Sequence, residues 1–257
     1  MAQAVERLEI SVNTPAGQVT TPVEVPVGFV PVTEIVPLLR RMGEQALALE
    51  QRRAEATGQR ISCRMGCAAC CRMLVPISAP EAFALRDKIL ALPDAQQRTR
   101  LDRVSAARAR LDQAGLLSRL RDIAETDRQL SDEDMEQTNR DYYALRLPCP
   151  FLDNEICSIY EDRPAACREL LVTSPAELCQ DIARNPVRPV SVPVRMSTVL
   201  AMLWADLTGG PVRLIPLPLA LEWAERHHTE RERTWKGSTL LEKALEKVGR
   251  FLNYCKM

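Results

Sequence analysis

The sequence lacks the features that mark most exported, membrane-bound and nucleic-acid-binding proteins. Its 34 basic residues equal its 34 acidic residues, so no basic surplus indicates a nucleic-acid or membrane-surface partner. No apolar run reaches the roughly 18 residues that a transmembrane helix needs. The N-terminus, residues 1–7, has no apolar core behind a basic start, so we expect no signal peptide. The sequence therefore predicts a cytoplasmic protein with neither a nucleic-acid nor a membrane partner.

The motifs of common enzyme sites are also absent. The sequence contains no G-x-G-x-x-G, no P-loop, no nucleophile elbow and no H-E-x-x-H. It offers no separate acid–base constellation either. Whether the protein is an enzyme, and which substrate or protein partner it would have, is therefore left open at this stage.

What the chain does have is a dense group of thiols. Cys63, Cys67, Cys70 and Cys71 have the spacing C-x3-C-x2-C-C. If this segment is helical, the step of ~100° per residue places all four thiols on one face. Core packing does not account for four thiols directed at one point, whereas zinc and iron–sulfur clusters both need several thiolate ligands. The segment therefore predicts a metal or cluster site.

A second group of cysteines follows after a gap. The chain has nine cysteines, and the second group of four comprises Cys149, Cys157, Cys167 and Cys179. Without export the compartment is reducing, so grouped cysteines indicate metal or cluster ligands rather than disulfides. A helical insertion between Cys71 and Cys149 would bring the two groups together, because the cost of closing a loop grows slowly with its length. Cys255 is expected to be a lone thiol on a terminal helix.

The ligand set contains one awkward pair. Adjacent Cys70 and Cys71 can hardly both bind one tetrahedral ion without strain, so one of them is expected to serve a second metal, to bridge, or to stay a free thiol. Four arginines stand next to or near motif cysteines: Arg64, Arg72, Arg163 and Arg168. A centre held by four thiolates has a net charge of about −2, which nearby guanidinium groups would offset. We therefore expect these arginines to compensate the charge of the bound centre.

The fold is expected to be mostly α, with a short N-terminal arm or hairpin and a cysteine-rich core. Residues 7–28 carry loosely alternating Val, Ile and Thr, with pairing limited by Pro22 and Pro26. Helical patterns follow over 32–57, from Ser78, over 95–125 with a break near Gly115, and over 131–145, 196–208, 216–228 and 238–254. Residues 149–160 favour extended structure. We predict an arm over 1–30 and one helical domain over 31–257, with its motif core at about 60–180.

These cysteine motifs together resemble a known family. Cys63-x3-Cys67-x2-Cys70-Cys71, Cys149-Pro-Phe-Leu, Cys157-Ser-Ile-Tyr and Arg163-Pro-x-x-Cys167-Arg168 look like the bacterial cysteine-cluster family of the CxxCxxCC type, described as a zinc- or iron-chelating domain. The resemblance covers about residues 60–180 and implies that eight cysteines form the metal site: Cys63, Cys67, Cys70, Cys71, Cys149, Cys157, Cys167 and Cys179. One branch resembles flagellin lysine N-methylase, which implies methyl transfer.

Two questions about the cofactor stay open on the sequence. Paired C-x2-C motifs would favour zinc, but only Cys67 and Cys70 have that spacing. The wide spacing of the second cysteine group favours an iron–sulfur cluster of the [4Fe–4S] type. The role is then structural or redox. The alternative is an iron–sulfur-dependent modifying enzyme, such as a protein lysine N-methyltransferase, which would also bind S-adenosylmethionine. The C-x3-C-x2-C spacing matches the radical S-adenosylmethionine motif too, but the strand–helix alternation of its βα barrel is missing.

Overall fold

A computed structural model describes residues 4–182 and 184–254, without the side chains of Asn253 and Tyr254. Cys255 lies outside these residues. The helices, in chain order, are α1 (Val36–Ala56), α2 (Ala79–Leu90), α3 (Asp94–Gln113), α4 (Leu117–Glu125), α5 (Asp132–Ala144), α6 (Ala165–Arg168), α7 (Met196–Thr208), α8 (Ala220–Arg226), α9 (His228–Arg231) and α10 (Gly237–Tyr254). Short 3-10 helices cover Val32–Ile35, Cys70–Arg72, Tyr160–Asp162, Ala176–Asp181 and Leu217–Leu219. The prediction of a mostly α fold is confirmed.

The strands pair two by two and antiparallel. The pairs are β1 (Val5–Thr14) with β2 (Gly17–Pro26), β3 (Phe29–Pro31) with β8 (Thr234–Lys236), β4 (Pro76–Ile77) with β7 (Ile215–Pro216), and β5 (Leu152–Asp153) with β6 (Ile156–Cys157). The N-terminal hairpin is longer than expected, because Pro22 pairs with Glu9 and Pro26 with Val5. In a two-stranded ribbon every residue is at an edge, where proline can turn its missing donor away from the partner strand. The expectation that these prolines limit the pairing was wrong.

The main core lies between α1, α2, α7, α8 and α10. Phe83 on α2 is fully buried, and its ring centroid lies 5.5 Å from that of Trp204 on α7 and 5.4 Å from that of Trp223 on α8. A second apolar cluster, which includes Leu111, Leu120 and Tyr142, packs α3, α4 and α5 together. Together with α2, these helices form the predicted insertion between the two cysteine groups. After α5 the chain returns to Cys149, whose N–H donates to the Cys71 carbonyl. The division into an arm and one helical domain stays a prediction.

No helix in the described part of the chain is long and apolar enough to cross a bilayer.

Candidate metal centre

Eight cysteines from distant parts of the chain line one cavity of about 570 Å3. They are Cys63, Cys67, Cys70, Cys71, Cys149, Cys157, Cys167 and Cys179, which is the set chosen from the sequence. All eight are free thiols, Cys179 being buried and the others partly buried. The tertiary structure therefore brings both cysteine groups to the same place, although the helices α2 to α5 separate them in sequence.

The first cysteine segment is a loop, and the expectation of a helix there was wrong. The Cys67 N–H donates to the Arg64 carbonyl over 3.0 Å, and Gly66 between them has a φ of +84°. This left-handed conformation is accessible to glycine at little cost and breaks any helical run. The Ser62 N–H anchors the loop to the Val172 carbonyl at 3.0 Å. Only Cys70–Arg72 forms a short 3-10 helix, so turns rather than a helix face aim the thiols at the cavity.

The second group is presented by short elements. The Cys149 N–H donates to the Cys71 carbonyl at 2.8 Å, which ties the two groups directly together. Cys157 is in β6, whose two-residue turn has positive φ at Asn154 and Glu155. This turn geometry matches the twist of a tight hairpin. Of the stretch 149–160 that was predicted to be extended, only Leu152–Asp153 and Ile156–Cys157 are strands. Cys167 lies in α6 and Cys179 in the 3-10 helix Ala176–Asp181.

A buried carboxylate fixes the start of α6. Glu81 in the first turn of α2 is fully buried, and its Oε1 accepts the N–H of Ala165 at 2.7 Å. Its Oε2 accepts the Ser78 N–H at 3.2 Å and the Ser78 hydroxyl at 2.9 Å, while Nη2 of Arg40 lies 3.7 Å from Oε1. The same side chain thus joins α1, α2 and the helix that carries Cys167. Nothing in the local sequence signals the contacts of Glu81 with Arg40 and Ala165, because both partners are distant in the chain.

The environment of the cavity raises the pKa values of six of the eight thiols. Burial raises the pKa of Cys149 to about 12 and raises the pKa of Cys167 well above its usual value. Burial also raises the pKa values of Cys63, Cys157 and Cys179. Hydrogen bonding to Cys71, followed by burial, raises the pKa of Cys70. A metal must therefore displace protons from these thiols as it binds, since thiolates are the ligands.

Two of the four arginines near the cysteines have carboxylate partners. Arg72 binds Glu155 through both terminal nitrogens, at 3.0 Å and 2.6 Å. Arg168 pairs with Glu44 and donates to the carbonyl of Glu161 at 2.6 Å. These partners were not found from the sequence, because both pairs join residues far apart in the chain. Part of the positive charge expected to face the thiols is therefore already neutralised.

The other two arginines differ in position. The Arg163 guanidinium lies 3.7 Å from the ring centroid of Tyr160 and donates to the Tyr160 carbonyl at 3.1 Å. Its charge lowers the pKa values of Cys70 and Cys157, against the larger effects that raise them. Arg64 is exposed at the cavity margin. The charge of Arg168 also lowers the pKa of Cys157, and charge compensation by the four arginines stays a prediction.

The donor set suits a thiophilic metal. Zinc and iron–sulfur clusters take thiolate ligands, and thiols are the donors that line this cavity in greatest number. Among residues 4–182 and 184–254, no group of three or more His, Cys, Asp or Glu side chains is already arranged as a metal site. The number of thiols that line the one cavity nevertheless suits a thiophilic metal.

The radical S-adenosylmethionine alternative finds no support in the architecture. That chemistry was expected to need a βα barrel. Within the described ranges all strands form two-stranded antiparallel sheets and no barrel occurs. The C-x3-C-x2-C spacing of Cys63, Cys67 and Cys70 is therefore shared with that superfamily without its fold.

Comparison with known proteins agrees with the geometry. The family model CxxCxxCC, whose description is "Putative zinc- or iron-chelating domain", matches residues 62–183. The matched range contains all eight cavity cysteines and the insertion between them. No curated protein and no solved structure gives a significant match. Residues 62–183 are therefore similar to the CxxCxxCC family of zinc- or iron-chelating domains.

Proposed function

We propose that this protein binds a cysteine-ligated metal centre, zinc or an iron–sulfur cluster, in the cavity, and that the centre has a structural or redox role. One observation carries the proposal: eight free thiols from two distant segments line a single cavity. The family match supports metal chelation by the same residues. When bound, the centre would supply either a rigid cross-link between the two segments or an electron-transfer group.

A reducing compartment keeps grouped thiols available as metal ligands. We therefore propose that the protein works in the cytoplasm.

The enzyme alternative has less support from the cavity. The cavity carboxylates Glu44 and Glu155 are each paired with an arginine, so neither is free to act as a general base. A protein lysine N-methyltransferase would still need S-adenosylmethionine. Equilibrium dialysis of the metal-loaded protein against labelled S-adenosylmethionine tests this alternative, and saturable binding at one site per chain would revive it.

Anaerobic purification followed by elemental analysis tests the proposed function. We expect zinc, or iron with acid-labile sulfide, in near-stoichiometric amounts, and the visible absorbance of a brown protein would decide for an iron–sulfur cluster. Chelation should lower the melting temperature, because binding free energy of a metal is also folding free energy. A metal-free preparation with the same melting temperature as protein supplied with zinc or reconstituted with iron and sulfide would refute the proposal.

A further inference from the structure

The N-terminal hairpin leaves one edge of β1 open within the described residues. In an antiparallel pair the residues of a strand bond alternately toward the partner strand and away from it. The carbonyl of Ala4 accepts the N–H of Val27 at 2.9 Å, which fixes this alternation, so the even-numbered residues of β1 bond to β2 in the observed register. The odd-numbered residues direct their N–H and C=O groups away from β2, and they are Val5, Arg7, Glu9, Ser11 and Asn13.

The two edges of the hairpin differ in how well they are protected. On β2 the residues with outward backbone groups include Pro22 and Pro26, which have no N–H to offer another strand. Pro26 also lies so close to Gly237 that no side-chain carbon fits there. β1 contains no proline and seven of its ten residues are exposed, and among residues 4–182 and 184–254 only β2 pairs with it. The open edge of β1 is therefore accessible to a further strand.

The charges of β1 favour a second copy of the same strand as its partner. When two copies pair antiparallel about a two-fold axis, outward-bonding residues must meet outward-bonding residues, so the axis passes through a residue of β1. An axis at Arg7 or at Glu9 would place like charges directly opposite each other, which is destabilising. An axis at Leu8 instead places Arg7 of each copy opposite Glu9 of the other. Opposite charges in this position stabilise a strand pair, so the edge is complementary to itself in this register.

The side chains of both faces suit the axis at Leu8. On one face the Nε of Arg7 donates to Oε1 of Glu24 at 3.0 Å, and both side chains are exposed. An arginine has five N–H donors, so Glu9 of the second copy would extend this pair to a row of alternating charges. On the other face Leu8, which is 39% exposed, would meet Leu8 of the second copy. The two leucines form a pair without hydrogen bonds, in which the Cα atoms approach to about 4.5 Å, so each leucine covers the other.

We propose that β1 pairs with β1 of a second copy of this chain about a two-fold axis at Leu8. The product is a four-stranded antiparallel sheet in the order β2, β1, β1, β2. Residues 4–12 of the two copies lie opposite each other, and the outward groups of Val5, Arg7, Glu9 and Ser11 bond to the other copy. No residue of β1 lines the cysteine cavity, so this inference is independent of the proposed metal centre.

The mass of the full chain in solution tests the pairing, measured by light scattering over a series of concentrations with reductant present. We expect a reversible dimer of twice the chain mass of 28.8 kDa. Ser11→Pro removes an outward N–H of β1 in each copy and should weaken association roughly thirtyfold, since two intermolecular hydrogen bonds are lost. Thr20→Pro is the matched control, because it removes the same contact of 2.9 Å between the Ser11 and Thr20 hydroxyls and an outward N–H of β2, and it should leave the dimer intact. A monomer at every concentration, or equal weakening by both variants, would overturn the inference.

Reversal of single charges tests the position of the axis. Arg7→Glu places carboxylates opposite each other across the axis, and Glu9→Arg does the same with guanidinium groups, so each variant alone should dimerise more weakly than the wild type. An equimolar mixture of the two variants should form a mixed dimer, because opposite charges then meet at both positions. Glu24→Gln is the control, since it removes the ion pair with Arg7 inside the hairpin and should keep the dimer. If the mixture associates no better than the separate variants, the axis does not lie at Leu8 and the inference fails.

Discussion

Replacing Glu81 tests how the fold positions a candidate ligand. The Glu81 carboxylate is fully buried and accepts hydrogen bonds from the backbone N–H groups of Ala165 and Ser78 and from the Ser78 hydroxyl. Glu81→Ala would leave these donors and the nearby Arg40 guanidinium without their acceptor. Breaking a buried pair by removing one partner costs about 3–5 kcal/mol. Since domains are stable by only about 5–15 kcal/mol, this loss should be large but measurable.

The Glu81→Gln variant separates charge from hydrogen bonding. Its amide oxygen can still accept the Ala165 N–H, while the attraction for Arg40 and one acceptor oxygen are lost. We expect a smaller loss of about 1–3 kcal/mol, the cost of leaving one buried polar group unsatisfied. Because Ala165 opens the helix that carries Cys167, both variants should also release the metal faster, with Glu81→Ala the faster of the two.

Urea unfolding of the metal-free protein and the rate of metal transfer to a chelator measure the two effects. Glu222→Gln is the matched control, since Glu222 pairs with Arg108 and Arg121 but does not line the cavity. It should lower the free energy of unfolding without changing the rate of metal release. If Glu81→Ala destabilises the fold but releases metal at the wild-type rate, the carboxylate does not position Cys167. A change in stability below about 1 kcal/mol would refute the estimate of the buried pair itself.

Further predictions concern pH, the cysteine loop and the charged rim. Burial raises the thiol pKa values, to about 12 for Cys149, above the unfolded thiol pKa of about 8.5. The resulting contribution to the stability of the metal-free protein is complete below pH of about 8.5 and is lost as the pH rises toward the folded pKa values. A urea midpoint that does not fall above pH of about 8.5 would contradict the burial of the thiols. Gly66→Ala should cost about 1–2 kcal/mol, because its φ of +84° is strained for alanine although no atom lies within 4 Å of the added carbon. Gly58→Ala has the same open surroundings at φ +80° and should cost as much, but only Gly66→Ala should speed metal release, as measured by chelator competition. Glu155→Gln removes the carboxylate partner of Arg72. The number of bound metal ions should then stay the same in elemental analysis, and a changed number would assign Arg72 a direct role at the centre.

Local sequence patterns were sufficient for most of the helices. The Ser131 cap and the break at Gly115 both act through bonds or dihedral angles within a few residues, and α5 and the α3–α4 boundary lie where these signals predict. The same reasoning failed for the cysteine loop. There the spacing of four thiols resembles a helix face, yet Gly66 adopts a positive φ and the loop is held by Val172, which lies far along the chain. Periodicity cannot register a contact of that kind.

The sequence by itself determined which residues form the candidate centre. Thiols are chemically distinct, and their grouping in a chain expected to be in a reducing compartment already indicates ligands, so all eight predicted cysteines line the cavity. Only the tertiary structure decided how they are grouped. Cys63 packs against the apolar cluster that contains Cys179, Glu81 fixes α6, and Glu44 and Glu155 neutralise two of the expected arginines. The physical reason is that each residue's chemistry is encoded at its own position in the sequence. Which residues become neighbours depends instead on packing and hydrogen bonds between segments that are distant in the chain.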